Sequence, residues 1–147
     1  MEIVPGLFLG TAMDGVHMTN VDMVVNCTSN LRFHAPMARR VRFAVEDNGD
    51  PAEVARLATL LADLSIFVEI QAVLAREGVV LVHCRLGQQR SAAVVAAYLM
   101  YSQRLAPEAA INFVRSKKPD AFFFQANFAE ALVSLHAVLE QIPQGST

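Results

Sequence analysis

The sequence is short of cysteine, of net positive charge and of long uncharged runs, and each shortage removes a class of protein. Two cysteines, Cys27 and Cys84, among 147 residues cannot build a disulfide framework, and neither shares a metal-ligand spacing with the four histidines. Both thiols are therefore expected to be reduced at rest, and no metal or other cofactor is expected. Twelve basic against fourteen acidic side chains leave a formal charge of −2, which argues against a domain built to hold a polyanionic nucleic acid. The longest uncharged stretch, Ser91 to Gln103, has 13 residues and includes Ser, Tyr and Gln, too few to cross a bilayer. The 54% hydrophobic content is thus assigned to a core. The N-terminal MEIVPGLFLG carries an acid at Glu2 and no basic region ahead of a long apolar segment, so no secretory signal is expected. An intracellular, cytoplasmic protein without nucleic-acid or membrane partners follows as the expectation. There is no internal repeat, low-complexity tract or linker, and the length suits one domain over 1–147.

What is present reads as alternating strand and helix. GLFLG (6–10), VDMVVNCT (21–28) and RRVRFAV (39–45), with Val41, Phe43 and Val45 alternating, have strand character. VVLVHC (79–84) is the most strand-like segment. Because Val79 to Val82 are apolar without alternation, it is expected to be buried on both faces, as central parallel strands are. Val54, Leu57, Leu61, Leu64, Val68 and Leu74 recur at helical steps between Pro51 and Gly78, which predicts one helix over 52–77. Three more helices are predicted over 91–103, 106–118 and 125–141. This order fits an α/β domain with a small, mostly parallel central sheet and helices on both sides. The turn from strand 79–84 to helix 91–103 would then lie at the carboxyl edge, where ligands bind.

That turn reads HCRLGQQRS, His83 to Ser91. A loop joining a buried strand to a helix offers successive backbone N–H groups without intrahelical partners and the positive end of the helix dipole, which together seat an anion. Cys84 at its rim is held as thiolate by the same field, and the thiolate is the nucleophile. Arg90, in the first helical turn, can grip two oxygens of a tetrahedral oxyanion. Gly87 lets the loop fold tightly. A buried cysteine after an apolar strand is ordinarily a small hydrophobe, and that reading is kept for Cys27. For Cys84 the joint spacing of His83, Gly87, Arg90 and Ser91 outweighs it. A nucleotide-binding P-loop is a poor alternative, because its glycine pair and Lys-Ser/Thr ending are missing.

HCRLGQQRS resembles the His-Cys, five residues, Arg-Ser signature of the cysteine-dependent protein phosphatases, and its context resembles the dual-specificity branch. IVPGLFLG is similar to that family's opening strand, VVNCT to its second, FAVEDN to its acid loop, and AAINFVRSKKPDAF to the helix after the signature. The likeness spans nearly the whole chain and is greatest to compact members without targeting or docking domains. The family often has Ala where Leu86 stands and Ser or Gly where Gln89 stands. The resemblance implies that Cys84 attacks phosphorus and that Arg90, with the loop amides of Arg85, Leu86, Gly87, Gln88 and Gln89, holds the phosphoryl oxygens. It further implies that Ser91 hydrogen-bonds the cysteine sulfur, that His83 supports the loop from behind, that no metal takes part, and that the substrate is a phosphoprotein. Lys118 is placed by the same analogy at the pocket rim. The general acid is sought in FAVEDNGDPAE among Glu46, Asp47, Asp50 and Glu53. Asp47, immediately after the third strand, is favoured over Asp50, whose spacing from Cys84 also suits.

Two rival functions stand against this one. A phosphatase for a phosphoinositide or an RNA 5′-phosphate is disfavoured because the variable loop positions hold Arg85, Leu86, Gln88 and Gln89 rather than paired lysines. A phospho-binding module without activity is disfavoured because Cys84, Arg90, Ser91 and upstream acids are all retained. His17, His34 and His136 are assigned to surface or core roles, and the clusters Arg39-Arg40-Arg42 and Arg115-Lys117-Lys118 to solvated faces, Lys118 excepted.

Overall fold

The computed structural model describes residues 1–143. Its centre is a five-stranded sheet made of β1 (Glu2–Val4), β2 (Leu7–Gly10), β3 (Met23–Asn26), β4 (Arg39–Arg42) and β5 (Val80–His83), in the order β1-β2-β5-β3-β4. Only the β1–β2 edge pair is antiparallel. β5 runs parallel between β2 and β3, with Gly10 and Asn26 both in register with His83. It is buried throughout, as its unalternating apolar run predicts.

Successive residues on these strands feed opposite faces. Leu7, Leu9, Met23, Val25, Val80 and Val82 join the main core, whereas Val24 and Leu81 belong to a smaller cluster with Phe8 and Phe33. The main core lies under α2 (Pro51–Ala62), α3 (Ser65–Ala75), α4 (Arg90–Gln103), α5 (Pro107–Lys117) and α6 (Ala129–Glu140). The smaller face is covered by the short α1 (Ala12–His17) and by the irregular chain around Phe33 and Ala35. α4 is the central helix, every residue from Ser91 to Met100 being buried. Its alanines leave little side chain between the helix axis and its neighbours, so sheet and helices approach closely.

Several elements differ from the sequence expectation. The predicted helix 52–77 is two helices bent by 57°. The buried positions run Leu57 and Leu61 in α2, then Ile66, Phe67, Ile70 and Val73 in α3, and one straight helix cannot point both sets at the core. Leu64, left-handed at φ 68°, absorbs the change, and Val68, counted in the predicted apolar stripe, is 55% exposed. The last helix begins at Ala129 rather than 125 because backbone groups of Gln125 and Asn127 are bound by the Gln89 side chain. β4 stops at Arg42, short of the predicted 45, and the Val45 carbonyl accepts from Arg90 instead. α1 was not expected. It is nucleated by a capping box in which the Thr11 hydroxyl accepts from the Asp14 amide while the Asp14 carboxylate accepts from the Thr11 amide. Among the described residues no single helix is long and apolar enough to cross a membrane.

Candidate active site

The signature loop leaves the carboxyl end of β5 and enters α4, so its shape is set by both. Gly87 takes φ +70°, and a Cβ there would lie 2.8 Å from the Gly10 carbonyl oxygen at the end of β2. Only glycine fits the turn and the approach together. The Ala12 amide donates to the Arg85 carbonyl at 2.9 Å, tying the loop to the start of α1. The amides of Arg85, Leu86, Gln88 and Gln89 have no partner among the described residues, the arrangement of a backbone anion cradle.

Cys84 is 3% exposed. Its Sγ lies 3.1 Å from the Ser91 hydroxyl and accepts from the Gly87 amide at 3.3 Å. Burial alone would push the thiol up. The Ser91 hydroxyl and amide, the Gly87 amide and the Arg90 charge outweigh it, and the net shift is downward. Cys27 shows the opposite balance, its thiol pushed well up chiefly by burial and then by the neighbouring Cys84. It follows Asn26, which pairs with His83 on β5, and its amide donates to the His83 carbonyl at 2.8 Å.

His83 faces away from the cleft. It is 1% exposed, its Nδ1 lies 3.2 Å from the Cys84 carbonyl, and since a carbonyl only accepts, that nitrogen carries the hydrogen. The ring packs on α1 at Gly15, where a Cβ would sit 3.0 Å from Nε2. Burial lowers its pKa, so the neutral ring braces the loop from behind.

Arg90, at the first position of α4, donates from Nη1 to the Val45 carbonyl at 3.0 Å. Asp47, Arg90 and Cys84 line one cleft of about 220 Å³. The other acidic candidates are engaged elsewhere. Asp50 caps α2, accepting from the Ala52 amide at 2.9 Å, Glu53 accepts from the Glu46 amide at 2.8 Å, and Glu46 accepts from the Ser29 hydroxyl. Lys118 approaches the loop, its Cε 3.4 Å from where a Gly87 Cβ would stand. Its Nζ is paired with Asp120 Oδ1 at 2.7 Å, and Asp120 also accepts from Gln88 Nε2 at 3.3 Å. The Lys118 hydrogen bond draws the Asp120 carboxyl below its ordinary range.

Two features of the site escaped the sequence. The Gln89 side chain does not face the anion cradle but binds the segment before α6, donating to the Phe123 and Gln125 carbonyls at 3.1 and 2.8 Å and accepting from the Asn127 amide at 2.9 Å. Asn127 in turn donates from Nδ2 to Asp47 Oδ1 at 3.1 Å. Nothing in the local pattern around Asn127 marks it. The capping box at Thr11 and Asp14, by contrast, was a readable signal for α1.

The family profile described as dual specificity phosphatase, catalytic domain, matches residues 7–137. The chain belongs to the dual specificity phosphatase family. It is thereby a cysteine-based phosphatase of the α/β type seen in its structural neighbours. Human dual specificity phosphatase 28 is 34% identical over 128 residues, 82% of this chain and 69% of that protein. A crystal structure of the same human protein superimposes with a TM-score of 0.77 at 27% identity, covering 95% of this chain and 96% of that one. A protein of Invertebrate iridescent virus 6 named as a tyrosine phosphatase, 123R, is 33% identical over 134 residues, 89% of this chain and 87% of its own length. The chain spans only 38% of human dual specificity protein phosphatase 2, to which it is 30% identical over 124 residues.

Proposed function

We propose that this phosphatase, a single catalytic domain over 1–147, hydrolyses phosphotyrosine and, more slowly, phosphoserine and phosphothreonine in proteins through a phosphocysteine. The observation that carries this reading is a buried cysteine with a lowered pKa sharing one small cleft with Arg90 and an aspartate.

In the first step the Cys84 thiolate attacks phosphorus in line with the ester oxygen, the S–P bond forms and the P–O bond breaks. Asp47 delivers its carboxyl proton to the departing oxygen. The free amides of Arg85, Leu86, Gln88 and Gln89 and the Arg90 guanidinium hold the three equatorial oxygens, which carry most of the transition-state charge, while the Gly87 amide faces the sulfur. In the second step Asp47, now ionised, takes a proton from water as that water attacks phosphorus. The S–P bond breaks, and the Ser91 hydroxyl donates to the returning thiolate. His83 holds the loop and takes no proton.

A protein substrate is favoured over a polyphosphorylated head group because, among the described residues, the cleft lining supplies only Arg85 beside Arg90 as cations, while Leu86 is exposed and Lys118 is already paired with Asp120. A mouse dual specificity phosphatase of the same fold, with a TM-score of 0.75 at 25% identity over 95% of this chain and 87% of that one, was solved with zinc tungstate. The loop of this chain suits a tetrahedral oxyanion of that shape. The test is turnover of p-nitrophenyl phosphate without added metal, which Cys84→Ser must abolish. Turnover of phenyl phosphate by Asp47→Asn and Asp50→Asn then assigns the acid. Loss in the Asp50 variant alone would move the assignment three residues along the loop.

A further inference from the structure

We infer that Asn127 is a positioning residue for the Asp47 acid, and that Gln89 fixes Asn127, so that the loop which grips phosphate also sets where the proton donor stands. This rests on Asp47 being the acid.

Asp47 is exposed on the irregular segment between β4 and α2, and a carboxylate there samples several rotamers unless something selects one. The only hydrogen bond its side chain makes among the described residues is from Asn127 Nδ2, 3.1 Å from Oδ1. The carbonyl oxygen of a protonated carboxyl is a better acceptor than its hydroxyl oxygen, so the bond to Oδ1 favours the proton on Oδ2 as well as fixing the carboxyl in space.

Asn127 itself has no helix to hold it, since α6 begins two residues later. Gln89 supplies the restraint. Its buried amide spans three backbone groups, the Phe123 and Gln125 carbonyls and the Asn127 amide, and so fixes the whole segment. Gln89 immediately precedes Arg90. Arg90 in turn donates to the Val45 carbonyl, two residues before Asp47, so the acid loop is tied to the signature loop at two points by neighbouring residues. Serine or glycine at position 89 could not span these partners. The longer side chain in this chain makes the connection possible.

Misplacing a catalytic group by an ångström can cost a factor of about 100. Loss of one restraint on an otherwise intact acid is expected to cost roughly tenfold where proton delivery limits the rate. The experiment compares kcat/KM for phenyl phosphate, whose leaving group needs a proton, with 2,4-dinitrophenyl phosphate, whose leaving group does not. Asn127→Ala, an exposed substitution that keeps the backbone amide, should slow the first roughly tenfold and leave the second unchanged. In an Asp47→Asn background it should cause no further loss on either substrate, since a residue acting through Asp47 has nothing left to act upon. Gln89→Ala, at a residue whose own amide belongs to the anion cradle, should slow both substrates, phenyl phosphate by the larger factor. Equal loss on both substrates, or a loss by Asn127→Ala that persists in the Asp47→Asn background, overturns the proposal while leaving Asp47 as the acid. If Asp47→Asn alone shows no leaving-group dependence, the acid assignment fails and the proposal falls with it.

Discussion

Replacing Ser91 with alanine tests the balance of forces on the nucleophile. The thiolate at Cys84 receives the Ser91 hydroxyl at 3.1 Å, the Gly87 amide at 3.3 Å and the Ser91 amide, in the field of Arg90. The substitution deletes the first and leaves the rest, because the amide of residue 91 stays where the helix holds it. Ser91 is fully buried, and removing one oxygen opens too little space for a water to take its place. A hydrogen bond to a charged group is worth about 1.5–3 kcal/mol, which is a factor of about 10 to 100 in the ratio of thiolate to thiol. The variant should therefore be alkylated more slowly by iodoacetate near neutral pH, and its inactivation profile should move to higher pH while keeping its shape. Phosphate should protect both proteins, since the amide cradle is intact. The same hydroxyl assists the sulfur as it departs from phosphorus, so phosphocysteine should accumulate and p-nitrophenyl phosphate should show a burst of nitrophenol before a slow steady state. An alkylation profile that coincides with that of the parent would show that Ser91 contributes nothing to the charged sulfur. A burst without any change in that profile would restrict its role to the second step.

Three further outcomes are expected. Mild peroxide should convert the Cys84 thiolate to a sulfenic acid, which the adjacent Cys27 thiol then attacks with release of water. Mass spectrometry should find a Cys27 to Cys84 disulfide formed slowly, because the raised Cys27 pKa keeps its thiolate scarce, and finding only higher oxides of Cys84 would refute the pairing. Lys118→Ala should weaken binding of acidic phosphopeptides only slightly, whereas Asp120→Asn, which frees the Lys118 charge, should strengthen it; no response to either variant would remove Lys118 from the substrate rim. His83 has a lowered pKa in the folded chain, so the unfolded chain binds the extra proton first: stability is complete above about pH 6.5 and falls as the solution is acidified below it. Urea midpoints should show this decline in the parent and lose most of it in His83→Asn, and a pH-independent midpoint in the parent would contradict the assignment.

The residues readable in advance were those whose meaning is local. The strand at Val80–His83, the glycine at position 87 and the order of Cys84, Arg90 and Ser91 all lie within one short segment, and spacing alone places them on a single turn. The break between α2 and α3 was hidden because Leu64 and Val68 continue the helical spacing across it, although the chain beyond re-aims its apolar face to Ile66, Phe67 and Ile70. Asp50 immediately precedes Pro51, a combination suited to capping, so its place at the helix start was legible, whereas Asp47 as the acid is the proposal made above. The Asn127 contact spans 80 residues to Asp47, and no single-sequence pattern carries information over that distance.

The contact of Gly87 with the Gly10 carbonyl bears on how the site comes into being. The anion cradle is moulded against the end of β2, and the amide of Ala12 holds its first residue, so the opening strands act as a template although they contribute no reactive group. A fragment beginning at Met23 would retain the cysteine, arginine, serine and both candidate aspartates, yet its loop would have no surface to close on. Supplied as a separate peptide, the first 22 residues should restore oxyanion binding by strand addition to the exposed edge of β5. The capacity to bind phosphate is in this sense assembled from two distant parts of the chain, and its appearance during refolding would report the docking of the N-terminal strand.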